Sequence, residues 1–190
     1  MNTCKPISTV TYNTNDFLIH QLDMLLKTHV IDYYMFINHL GEPDQYGDDK
    51  DHTHLFILPN HRINTADIDD LLIEPVEGNL PLRNISWNTS KSDDWILYNL
   101  HDPAYLLTKF ETRKYQYTYD NLKSSNDDDL RRRYRCAYQS SGYAKMKNLY
   151  QYAVSGGSID ELMRNGAIPV NQVSFYQDFF KLAKRVDLSD

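Results

Sequence analysis

Apolar and polar positions change rhythm several times along the first 120 or so residues. "ISTVTY", residues 7–12, alternates and is rich in β-branched side chains, which predicts a short strand. In "TNDFLIHQLDMLLKTH" the residues Phe17, Leu18, Leu22, Leu25 and Leu26 recur at helical spacing behind Thr14 or Asn15 as cap, so a helix is expected over about 15–29. "IDYYMFIN", residues 31–38, and "HTHLFILP", residues 52–59, read as strands, the second long enough to be central. A polar connection bearing Gly and Pro, "HLGEPDQYGDDKD", joins them as a hairpin-type loop, so the two should pair antiparallel. "NTADIDDLLI" has Asn64 or Thr65 as cap and places Ile68, Leu71 and Leu72 on one face of a short helix. "RNISWNTS" reads as a further strand. "SDDWILYNLHDPAYLL" opens on Ser92 with acids in its first turn and stops near Pro103, which predicts one more helix.

The resulting order, β-α-β-β-α-β-α, predicts an α+β domain with a central antiparallel sheet flanked by helices on one face. From about residue 123 the texture changes. "KSSNDDD" reads as an exposed boundary, and "DDLRRRYRCAYQ", "YAKMKNLYQYAV", "SIDELMRNG" and "NQVSFYQDFFKLAKR" look helical. The expected organisation is therefore a domain over 1–124 and a helical C-terminal extension over 125–190. Gly156-Gly157 and "NGAIP" break the helical pieces, and the last two give only a faint helix-turn-helix rhythm.

Composition narrows this picture. The chain has 190 residues, 41% of them apolar, enough to bury a sizeable core without staples. No apolar run is long enough to cross a bilayer, and "MNTCKPISTV" has no signal-peptide core. Cys4 and Cys136 show neither disulfide-framework nor zinc-knuckle spacing. The expectation is a cytoplasmic protein without a membrane partner. The formal net charge of −6 speaks against indiscriminate nucleic-acid binding. Bases nonetheless cluster in "TKFETRKYQY" and "RRRYR", which makes Lys109, Arg113, Lys114, Arg131, Arg132 and Arg133 candidate phosphate contacts. The 15 tyrosines include candidates for stacking on bases, although most are expected to be ordinary half-buried residues.

The chemistry concentrates in "DHTHLFILPN". Residues i and i+2 of a strand share a face, so His52 and His54 project together and Thr53 and Leu55 turn away. Two neutral imidazoles side by side suit a shared metal ion. The partner strand ends at His39, and Glu42 or Asp44 follows in the loop. If the strands pair, any of these three reaches an ion held by His52 and His54. Imidazoles with a carboxylate favour Mn²⁺, Fe²⁺, Zn²⁺ or Co²⁺ over Ca²⁺. Downstream, Tyr98 and His101 fall one helical turn apart, with Trp95 and Asp94 near the same side and Ile96, Leu97 and Leu100 toward the core. A metal-bound histidine pair and a tyrosine together suggest phosphoryl transfer, the ion polarising a phosphodiester and the hydroxyl attacking it. No Walker-type glycine loop appears, so no nucleotide cofactor is expected.

"HLGEPD", "DHTHLFILPN" and "DDWILYNLHD", in that order, resemble the plasmid rolling-circle replication initiators of the HUH endonuclease superfamily. The likeness spans roughly residues 31–125. In that family a His and an acid close one strand, an H-x-H strand follows, and a helix then carries Y-x-x-H. The matching positions are His39 and Glu42, then His52 and His54, then Tyr98 and His101, with Asp44 an alternative acid. Thr53 departs from the family's usual apolar middle residue. The resemblance implies a tyrosine-nucleophile nicking and joining enzyme that uses Mn²⁺ or Mg²⁺ and acts on single-stranded DNA at an origin hairpin. A single-tyrosine transposase or a mobilisation relaxase keeps the same chemistry. A non-catalytic DNA-binding protein whose histidines hold a structural ion is the reading from another class. The tail has three roles open to it: docking on the core, forming a homo-oligomer, or binding the double-stranded part of the origin.

Overall fold

The structure is a computed structural model that describes residues 1–42, 51–75, 87–113 and 115–186. It divides into two compact units, Met1–Trp95 with Thr118–Tyr134, and Ile96–Tyr117 with Arg135–Asp190. The fold class is α+β, as the pattern predicts. The expected boundary at 124/125 differs from this division, in which 96–117 falls in the second unit while 118–134, and with them the start of the helix after "LKS", falls in the first.

The first unit is built on a five-stranded antiparallel sheet. Its strands are β2 (Ile7–Thr11), β3 (Ile31–His39), β4 (His52–Pro59), β6 (Asn88–Thr89) and β7 (Leu122–Ser124), in the order β6-β2-β4-β3-β7. A separate two-stranded pair joins β1 (Asn2–Thr3) to β5 (Ile63–Asn64). β4 is central, as expected, and is antiparallel to β3 across the connection. Of the strand expected in "RNISWNTS", only Asn88–Thr89 forms among the described residues.

Helix α1 (Asn15–Lys27) is capped by Thr14, whose hydroxyl accepts from the Phe17 amide. Leu18, Leu22 and Leu25 recur at four- and three-residue intervals and so share one stripe. That stripe packs with Ile7, Tyr34, Phe36, Leu55 and Ile57, which share one face of the sheet, together with Ile68 and Leu72. The last two come from α2 (Thr65–Asp69) and the 3₁₀ turn after it, where Asn64 is the cap.

The opposite sheet face is not bare. Phe56 lies there, two residues beyond His54, and the indole of Trp95 packs on it with ring centroids 5.9 Å apart. Trp95 belongs to α3 (Ser92–Asn99) and is buried. The expectation of helices on one face only is therefore corrected. The cause is an indole too large and apolar to leave in water.

α3 ends earlier than its sequence suggests. The His101 amide donates to the Tyr98 carbonyl and the Asp102 amide to the Leu97 carbonyl, a Schellman stop with His101 at φ 54°. Asp102 then caps a new helix, α4 (Pro103–Leu107), by accepting from the Tyr105 amide. Pro103 thus starts a helix instead of ending one, which suits its missing N–H. Two further Schellman stops use non-glycine residues, His29 (φ 56°) after α1 and Phe110 (φ 58°) after α4.

The second unit has its own apolar centre of Leu107, Ala153, Phe179, Phe180 and Ala183. Those residues come from α4, α6 (Ser141–Val154) and α8 (Val173–Val186). Helix α7 (Ile159–Arg164) adds partly buried Ile159 and Leu162. Gly156 closes α6 at φ 86°, and a Cβ on Gly157 would run into Tyr152. The Gly-Gly pair is thus a required break, as its sequence suggests.

α5 (Asp127–Gln139) starts in the first unit and continues into the second. Its Asp129 pairs with both Arg132 and Arg133, and the Arg133 guanidinium lies 4.6 Å from the centre of the Tyr33 ring.

Candidate functional site

Register builds the histidine cluster. His39 is opposite His52, and Ile37 is opposite His54. Directly paired residues share a face, so all three imidazoles project from the same side of β3 and β4. Their ring centroids are separated by 4.5 to 5.3 Å, and one ligand nitrogen from each ring lies within 4.8 Å of the other two. His39 and His52 are buried and His54 is half-buried. Thr53 points the other way and donates its hydroxyl to Asn38 Oδ1 at 2.7 Å. That cross-strand bond accounts for a polar residue at the centre of H-x-H.

Glu42 is buried as well, and its carboxylate lies 3.9 Å from His39 Nδ1. The Gly41 amide donates to the Asp51 carboxylate at 2.8 Å and so ties the two ends of the β3–β4 connection beside this point. Asp44 lies outside the described residues.

The donor set fits a divalent ion. Ligand atoms about 2.0–2.2 Å from a first-row metal stand roughly 3–4 Å from one another, so small rotations of the rings would close the observed spread. His39, His52 and His54 are the residues that would hold it. Glu42 is positioned either to join them or to orient the His39 ring, as carboxylates commonly do. Nitrogen and carboxylate donors suit Mn²⁺, Zn²⁺ or Fe²⁺.

The second unit holds Tyr98 and His101. Tyr98 is half-buried, and its phenol donates to Glu111 Oε2 at 3.0 Å. Arg113 donates to the same oxygen at 3.0 Å and to the Tyr98 hydroxyl at 3.4 Å. Burial, followed by the Glu111 carboxylate, holds the phenol above its usual titration range, against the opposing pull of Arg113.

His101 is not on the helix with Tyr98. It occupies the left-handed position just past the end of α3, so the same-face reading of Y-x-x-H fails there. Its Nδ1 lies 2.8 Å from the Tyr115 carbonyl, and its ring meets Tyr117 edge-on. A carbonyl can only accept, so Nδ1 carries a proton and donates it to Tyr115.

Trp95, placed by spacing on the Tyr98 side, is buried against Phe56. Tyr105 is buried in α4, beneath the Lys109 ammonium, which lies 5.6 Å from its ring centre.

Among the candidate phosphate contacts, Lys109 and Arg131 are exposed. Arg113 is engaged with Glu111, and Arg132 and Arg133 with Asp129. Lys114 lies outside the described residues. Sequence reading missed Glu111, whose only signal is an isolated acid inside the basic stretch "TKFETRKYQY".

Among the described residues no helix is long and apolar enough to cross a membrane. The chain matches no protein-family model and no curated protein.

Proposed function

We propose that this protein is a metal-dependent endonuclease of the HUH type. It nicks single-stranded DNA at a replication origin, keeps the 5′-phosphate on Tyr98, and later rejoins strands to initiate rolling-circle replication. The observation that carries this reading is the three-imidazole cluster on one face of β3 and β4. Two buried histidines and a half-buried third beside a buried acid are costly to build without a ligand, since the rings must give up hydration. The order of motifs adds to it: His39 and Glu42, then His52 and His54, then Tyr98, each on the kind of element such enzymes use.

A bound Mn²⁺ or Mg²⁺ would supply charge to a phosphodiester's non-bridging oxygens. Tyr98 provides the nucleophile. Its oxygen forms a bond to phosphorus, the bond to the 3′ oxygen breaks, and the energy of the phosphodiester is retained in the phosphotyrosine. No nucleotide is consumed.

The test is a pool of single-stranded oligonucleotides incubated with the protein and Mn²⁺, followed by denaturing electrophoresis. An adduct that survives SDS, needs the ion, and disappears in Tyr98→Phe supports the assignment. Mass spectrometry should place the 5′-phosphate on the Tyr98 peptide. A Tyr98→Phe variant that still forms the adduct refutes it.

A second reading rests on His39, Glu42, His52 and His54 all lying in one unit. Four protein donors can close a structural zinc site. A DNA-binding protein of that kind would hold Zn²⁺ tightly and form no adduct.

A further inference from the structure

Tyr98 does not face solvent alone. Its hydroxyl hydrogen points at a carboxylate, and that carboxylate is held in turn by a guanidinium. We infer that Glu111 is a catalytic residue, the proton acceptor for Tyr98, and that Arg113 positions it. The inference rests on the nuclease reading above.

Geometry comes first. The 3.0 Å separation between the phenol oxygen and Glu111 Oε2 is within direct proton-transfer range. Arg113 bonds to the same carboxylate oxygen and to the phenol oxygen, so it fixes the pair and faces the charge that moves between them. The Glu111 side chain is about one-third exposed and the Arg113 side chain nearly half, so the pair is open enough to meet a phosphate.

Chemistry supplies the need. At rest the phenol keeps its proton, because burial and the neighbouring carboxylate both disfavour the phenolate. A neutral phenol is a weak nucleophile, so attack requires a base within reach. In the step proposed, the Tyr98 oxygen bonds to phosphorus while its proton passes to Glu111. The bond between phosphorus and the 3′ oxygen breaks, and the leaving oxygen takes a proton from water. Strand rejoining reverses the transfer: the 3′ hydroxyl oxygen bonds to phosphorus and gives its proton to the solvent, the bond from phosphorus to the Tyr98 oxygen breaks, and Glu111 returns its proton to Tyr98. Arg113 compensates negative charge at the phenol oxygen in both directions.

The experiment compares wild type, Glu111→Gln and Glu111→Asp in the adduct assay across pH, at saturating Mn²⁺. Glutamine keeps the size and loses the base. Adduct formation in Glu111→Gln should fall by about 10²–10⁴-fold at pH 7. The remaining rate should climb with pH toward the phenol range, whereas the wild-type rate should depend much less on pH around neutrality. Aspartate should restore part of the loss.

A readout without turnover comes from tyrosine labelled at Cζ with ¹³C. The Tyr98 resonance is assigned by its absence in Tyr98→Phe. Its titration should move down toward the ordinary phenol value in Glu111→Gln. Adduct formation by Glu111→Gln at close to the wild-type rate, or an unmoved Tyr98 titration, overturns the role of Glu111 and leaves the nuclease reading intact. A wild-type protein that forms no adduct overturns both.

Discussion

A metal ion held by residues from two paired strands should stabilise the fold, and the size of the effect follows from its construction. His39 sits at the end of β3 and His52 and His54 at the start of β4, so only the native register brings the three nitrogens within 4.8 Å. The unfolded chain offers no comparable site. An ion at 100 times its dissociation constant then adds about 2.7 kcal/mol. For a chain of this length that corresponds to a rise in Tm of about 5–11 °C. His54 is the half-buried member of the trio, so His54→Ala should lower the metal-free Tm by no more than a few degrees. The same change removes one of three imidazoles and should abolish most of the metal-induced rise. Thr53→Val serves as the control, because Thr53 is buried on the opposite face and bonded to Asn38. It should cost about 1 kcal/mol, some 2–4 °C, yet keep the full response to metal. Differential scanning fluorimetry with Mn²⁺, Zn²⁺ and EDTA reads all three proteins. A His54→Ala variant with the wild-type metal response, or a wild type that does not respond, refutes the assignment of the cluster.

Four other outcomes are expected. His29→Gly should raise stability by about 0.5–1 kcal/mol, because His29 is exposed at φ 56° and glycine escapes the left-handed penalty at some cost in unfolded-chain entropy; chemical denaturation measures it, and a loss of stability counts against the strain. Burial would raise the Asp129 carboxyl, but Arg132 and Arg133 outweigh it and hold it below its usual value, so the stability from these pairs is present at neutral pH and fades as acid protonates Asp129. Asp129→Asn should flatten that acid limb in denaturation profiles, and an unchanged limb would exclude it. Burial pushes the Tyr33 phenol up to about 12 and also raises Tyr34, so folding stability should decline as pH climbs past about 10, where unfolded phenols ionise first, and Tyr33→Phe should soften the decline. If α5 contacts DNA, neutralising Arg131, Arg132 and Arg133 together should reduce the salt dependence of single-strand binding by up to about 2 in log–log slope, and an unaltered slope would leave these residues a solvated helix face.

Much of this site is visible in the amino-acid order because it depends on short-range periodicity. A period of two puts His52 and His54 together, and a hairpin-type loop brings His39 back beside them. Three features are not local. His101 occupies a backbone conformation that sequence patterns reserve for glycine or asparagine, so spacing alone places it on a helix that has already ended. Glu111 meets Tyr98 only because the irregular segment after α4 folds back, which no periodicity encodes. The division into units does not show because residues 96–117 group with the C-terminal helices while "LKS", the late strand β7, returns to pair with β3, and both associations are long-range.

That late strand has a consequence for how the protein is made. β3 forms an edge of the sheet until β7 arrives, and Ile37 must wait for Leu122 to be synthesised. At translation rates of 5–20 residues per second, the interval is roughly 4–17 s. During it, the hydrogen-bonding groups of Met35, Phe36 and Ile37 offer a ready template to any neighbouring chain. The nascent protein therefore passes through a period of exposure that the finished one does not have. Slower elongation lengthens that period, so the yield of soluble protein should depend on the pace of synthesis as well as on the stability of the product.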